Sequence, residues 1–89
     1  MEKYKVKLSR NAESYYKRTD KDTAKRLKDC FETLEETPAD WSHPRIKKLR
    51  GELSGLWRYR VGDLRVVYQV NEEEKIVNVV AIGSRGDVY

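Results

Sequence analysis

The chain is short of the residues that small chemical sites most often use. It has one cysteine, Cys30, and one histidine, His43. A lone cysteine excludes a disulfide framework within the chain and fits a reducing cytoplasm, the expected location. One cysteine and one histidine are too few for an ordinary zinc site, so neither metal nor cofactor is expected. No apolar run approaches the roughly 20 residues of a membrane-spanning helix. The opening "MEKYKVKLS" alternates too strictly and is too charged for a signal peptide. There is no internal repeat and no low-complexity linker. With 89 residues, one domain over 1–89 is expected.

Acids are scarce in one window. From Arg45 to Arg65 the chain carries seven basic residues, Arg45, Lys47, Lys48, Arg50, Arg58, Arg60 and Arg65, against two acids, Glu52 and Asp63. The whole chain has a net charge of +4, so the rest is slightly negative. Basic character is therefore local, which points to an anionic partner more than to general solubility.

What is present gives a clear order of elements. Tyr4, Val6 and Leu8 alternate with lysines, as in a half-buried strand. Ser9 can cap a short helix holding Ala12, Tyr15 and Tyr16, although Glu13 stands one position late for a capping box. Asp20 or Asp22 can cap a second helix, where Ala24, Leu27, Cys30, Phe31 and Leu34 share one face. Thr37-Pro38 ends it. A basic loop, "ADWSHPRIKKLRGEL", follows from Ala39 to Leu53, and His43 belongs to it. Two strands flank Gly62-Asp63. "NEEEK" makes a charged turn, and Ile76–Ile82 is a nearly continuous apolar strand suited to the sheet interior. The expected fold is α+β, in the order β-α-α-β-β-β. A helical hairpin packs on one face of a mostly antiparallel four-stranded sheet.

The central hairpin, "LWRYRVGDLRVVY", fixes its own register. Gly62 supplies positive φ and Asp63 tolerates it, so the two form a tight turn. Val61 then pairs with Leu64, Arg60 with Arg65, Tyr59 with Val66, Arg58 with Val67 and Trp57 with Tyr68. Alternation puts Trp57, Tyr59, Val61, Leu64, Val66 and Tyr68 on a core face. Arg58, Arg60 and Arg65 share the opposite face. Opposed like charges destabilise a sheet, and Asp63 in the turn cannot neutralise all three. A polyanion is one candidate partner for this face; plain solvation along the arginine stems is the other. Cys30 belongs to the core stripe of the second helix.

The run "KLRGELSGLWRYRVGDLRVVYQV", followed by "AIGSRGDVY", resembles the RelE branch of the RelE/ParE toxin superfamily. The resemblance is carried by Leu49, Gly51, Leu53, Gly55, Leu56, Trp57, Arg60, Gly62, Asp63, Arg65, Tyr68, Ile82, Gly83, Arg85, Val88 and Tyr89, that is, by the second half of the chain. It implies a toxin of a toxin–antitoxin pair that enters the ribosomal A site and cuts mRNA without a metal. The cut is an attack of the 2′-OH on the adjacent phosphodiester, leaving a 2′,3′-cyclic phosphate and a 5′-OH. By the same resemblance Arg58, Arg60, Arg65, Arg85 and Tyr89 are the catalytic positions. Arg45, Lys47, Lys48 and Arg50 would contact RNA and the ribosome. The implied partners are a cognate antitoxin, mRNA and ribosomal RNA, with no membrane.

Arginines suit this chemistry, because they hold a phosphate in bidentate fashion and stay cationic. YoeB-type relatives use a glutamate before the hairpin and a histidine near the C-terminus. Here Lys47 stands near the first position, and Ser84–Val88 contains no histidine. That favours the arginine-rich, RelE-like mechanism, with the Tyr89 phenol or its terminal carboxylate as the candidate base. The alternative of the same fold is a ParE-like binder that poisons gyrase and does no chemistry. A third possibility is an RNA-binding module without activity. Register of the last hairpin and strand order are not fixed by the sequence.

Overall fold

A computed structural model describes residues 3–39, 42–49 and 55–84. Its elements are β1 (Lys5–Leu8), α1 (Arg10–Arg18), α2 (Lys21–Glu36), β2 (Ile46–Lys48), β3 (Trp57–Val61), β4 (Leu64–Asn71) and β5 (Ile76–Ser84). The α+β class and the helical hairpin are as expected. The sheet has five strands rather than four, in the order β1-β5-β4-β3-β2. The added strand is β2, inside the segment expected to be a loop. It contains one buried apolar residue, Ile46, followed by two exposed lysines. Three residues with one apolar side chain carry no readable period. Pairing with β3 imposes the strand, opposing Ile46 to Tyr59, Lys47 to Arg58 and Lys48 to Trp57.

Ser9 begins α1 and does more than cap it. Its Oγ accepts from the Ala12 N–H at 3.1 Å and donates to the Val80 carbonyl at 2.6 Å. Its own N–H donates to the Val79 carbonyl at 2.8 Å. One residue thus satisfies a helix start and ties it to β5. Asp20 caps α2 by accepting from the Thr23 N–H at 3.3 Å. Past its C-cap, Thr37, the Pro38 carbonyl accepts a buried hydrogen bond from the Tyr68 hydroxyl at 2.7 Å. That bond pins the helical layer to β4.

The core lies between helices and sheet. Ala12, Leu27, Cys30 and Leu34 meet Trp57, Tyr59, Val66, Tyr68, Val77, Val79 and Ile82. β5 is interior, as its apolar run suggested: it pairs antiparallel with β4 and parallel with β1. A bulge interrupts the β4–β5 ladder, because Val67 pairs with Ala81 and Tyr68 with Val79. Val80 is skipped and stands 42% exposed. No described helix is long and apolar enough to cross a membrane.

Candidate functional site

The hairpin forms in the register its turn dictates. Gly62 has φ 58°, and every β3–β4 pairing expected from the sequence is present. Trp57, Tyr59 and Val61 are buried toward the helices. Arg58, Arg60 and Arg65 alternate to the other side of the sheet. β2 adds to them, because Lys47 lies opposite Arg58. Two rows therefore run across the strands: Lys47, Arg58, Val67 and Ala81, then Arg60, Arg65 and Gly83. Neighbouring strands lie about 5 Å apart and successive same-face residues roughly 7 Å apart. Four cations thus stand on adjacent positions with no acid in either row.

This face is less open than alternation alone suggested. Val67 is 3% exposed, Gly83 is buried, and Arg58 and Arg65 are half-buried, while Arg60 is exposed. Arg58 carries the sharpest anomaly. Its Nε is buried and has no hydrogen-bond partner among the described residues. A desolvated charged donor left unmet is costly, and a phosphate oxygen is the kind of acceptor that would satisfy it. Beside the turn, Arg60, Asp63, Arg65 and Ser84 line a groove of about 290 Å³.

The other expected contacts do not all join this face. Lys48 neighbours Lys47 and so points the opposite way, with its Nζ 5.9 Å from the centroid of the Trp57 ring. Arg45 lies before β2, where its carbonyl accepts from the Arg60 N–H at 2.9 Å and its N–H donates to Nδ1 of His43 at 3.1 Å. The His43 ring packs at 5.5 Å against Tyr59, which gives that loop histidine a structural place. Arg50, Arg85 and Tyr89 lie outside the described residues. Among the described residues no group of three His, Cys, Asp or Glu side chains is placed to hold a metal.

Two buried groups are unsuited to take part in proton transfer. Burial pushes the Cys30 thiol well above its ordinary range. Burial, then the neighbouring Cys30 and Tyr59, does the same to the Tyr68 phenol. One basic residue was missed in the sequence. Arg26, on α2, lines a second groove of about 370 Å³ with Asp29, Arg45 and Arg60. Helical spacing holds the signal: Arg26, Asp29 and Cys30 are three and four residues apart, so Arg26 flanks the buried stripe.

A family model described as ParE toxin of type II toxin–antitoxin system, parDE, matches residues 6–89. No curated protein sequence matches the chain significantly. Among solved structures, the archaeal RelE–RelB complex from Pyrococcus horikoshii aligns with a TM-score of 0.78 at 29% identity, covering 93% of this chain and 96% of that one. A YoeB/ParE toxin from Agrobacterium tumefaciens gives 0.79 at 21% identity, covering 91% and 98%. The isolated RelE toxin of E. coli gives 0.77 at 23% identity, covering 91% and 83%. The last two likenesses are of fold. With the family model spanning nearly the whole sequence and the hairpin pattern set on the matching fold, the chain belongs to the ParE toxin family of type II toxin–antitoxin systems, within the RelE/ParE superfamily.

Proposed function

We propose that this toxin is a ribosome-dependent mRNA endonuclease that halts translation in the cytoplasm, held in check by a cognate antitoxin. The observation that carries this reading is the cationic face of β2–β4, with the unmet Nε of Arg58 buried within it. In the reaction the 2′-oxygen bonds to phosphorus as its proton is withdrawn, and the bond from phosphorus to the 5′-oxygen breaks. The products are a 2′,3′-cyclic phosphate and, after protonation, a 5′-OH. Charge builds on the non-bridging oxygens, where fixed guanidinium donors act best. Arg65 and Arg85 take that role, and Arg58 and Arg60 hold the phosphate. Tyr89 is the base. A free phenol titrates near about 10, and cations close to it would favour its phenolate. The P. horikoshii RelE was solved with RelB, which supports an antitoxin partner here.

The second reading, a gyrase poison without chemistry, is favoured by the ParE description of the matching family. One experiment separates the two: induce the toxin, map mRNA 5′ ends and assay supercoiling in parallel. Codon-phased cuts are expected, with supercoiling unchanged. On programmed ribosomes, Arg65→Ala should slow single-turnover cleavage by about 10²–10³-fold. Tyr89→Phe should slow it by about 10²–10⁴-fold. Both should keep native circular dichroism. A supercoiling defect without cuts would overturn the nuclease reading, and full cleavage by both variants would overturn the roles of Arg65 and Tyr89.

A further inference from the structure

The groove between α2 and the β3–β4 turn is a second cationic site, on the other side of the turn from the arginine rows. Arg26, Arg45 and Arg60 line it, with Asp29 in the same wall. Among the described residues none of these four has a side-chain ion pair. Two features connect it to the first face. Arg60 and Gly62 line both this groove and the one holding Arg65. Arg26 also reaches the turn itself. A Cβ added to Gly62 would stand in ordinary contact, 3.6 Å, with the Arg26 Nη1, so the guanidinium lies beside the turn.

Three guanidiniums suit an anion, and arginine forks suit a phosphate. Asp29 decides which kind of anionic chain fits. An acidic peptide would meet that carboxylate as repulsion. A ribonucleotide strand would bring a 2′-OH, a donor that the carboxylate can accept. We propose that this groove holds a phosphate of a single-stranded RNA that also crosses the arginine face, with Arg26 as its contact and Asp29 as acceptor for the adjoining 2′-OH. The proposal rests on the RNA reading of the toxin and adds a subsite to it.

The test is anisotropy of a short labelled RNA, and of DNA of the same sequence, titrated with the toxin over a salt series. Removing one phosphate contact from a single strand should lower the slope of log K against log salt by about 0.7 in Arg26→Gln. Arg26→Lys, which keeps the charge and loses the fork, should hold the slope while weakening binding. Asp29→Asn should narrow the preference for RNA over DNA. Circular dichroism checks the fold of each variant. An unchanged slope in Arg26→Gln overturns the proposal, as does a wild type that fails to bind RNA at low salt. A variant that spares RNA but weakens the antitoxin assigns the groove to the protein partner instead, and overturns it too. Ribosomal cleavage keeps the two ideas apart. Wild-type cutting with an unchanged Arg26→Gln slope sinks only the subsite, whereas RNA binding through Arg26 without cutting sinks only the nuclease.

Discussion

Individual side chains show where this fold keeps stability and where it gives some up. The Tyr68 hydroxyl is fully buried and donates to the Pro38 carbonyl. Tyr68→Phe leaves that carbonyl without its donor and should cost about 1–3 kcal/mol, read from denaturant midpoints near neutral pH. It should also change the alkaline limb. Folding raises the proton affinity of Tyr68 and Cys30. The unfolded chain releases those protons near about 8.5 for cysteine and about 10 for tyrosine. Above those values the folded state binds more protons, so its stability is complete at lower pH and falls as pH rises. In Tyr68→Phe the fall above pH ~10 should be shallower; an unaltered limb would assign it to other groups. Arg58 is the opposite case. Its unmet Nε and its place opposite Lys47 cost stability. Arg58→Met should therefore raise stability by about 1 kcal/mol while abolishing toxicity. A destabilised Arg58→Met protein would show that the guanidinium is a structural support.

At the level of elements, the junction between β1 and α1 rests on Ser9, which caps the helix and bonds to Val80. Ser9→Ala loses both functions and should cost about 2 kcal/mol, from roughly one for the cap and one for the hydrogen bond. An unshifted unfolding midpoint would show that neither bond matters. The cap was legible in the sequence, as was the hairpin register, because each depends on a few adjacent residues. Gly62-Asp63 and a period of two were enough to place three arginines on one face. β2 was hidden, since Ile46 alone cannot show a period. Lys47 and Lys48 therefore looked like one surface, whereas successive residues of a strand face opposite ways. The bulge at Val80 was equally invisible, because nothing in Val77–Ile82 marks which valine leaves the ladder. Arg26 was missed because the residues it shares a groove with, Arg45, Arg60 and Gly62, are far away in sequence.

For the whole molecule, the basic window around the hairpin sets the terms of association. The surface outside it is slightly negative, so an antitoxin segment that covers the arginine face must supply its own acids. Toxin–antitoxin affinity should fall as salt rises from about 0.05 to 0.5 M, since exposed charges are screened within about 10 Å or less over most of that range. Affinity that stays constant across the series would show that the antitoxin seats mainly through apolar contact.

The parallel pairing of β1 with β5 also orders events in time. Lys5–Leu8 are synthesised early, yet their partners are Ile76–Val79. Until those later residues are available, the first strand has nothing to pair with and Ser9 has no carbonyl on which to anchor α1. Closing so long a loop is entropically slow. A nascent chain that has not yet delivered β5 can pair β2, β3 and β4, but it has nothing to join β1 and α1 to them.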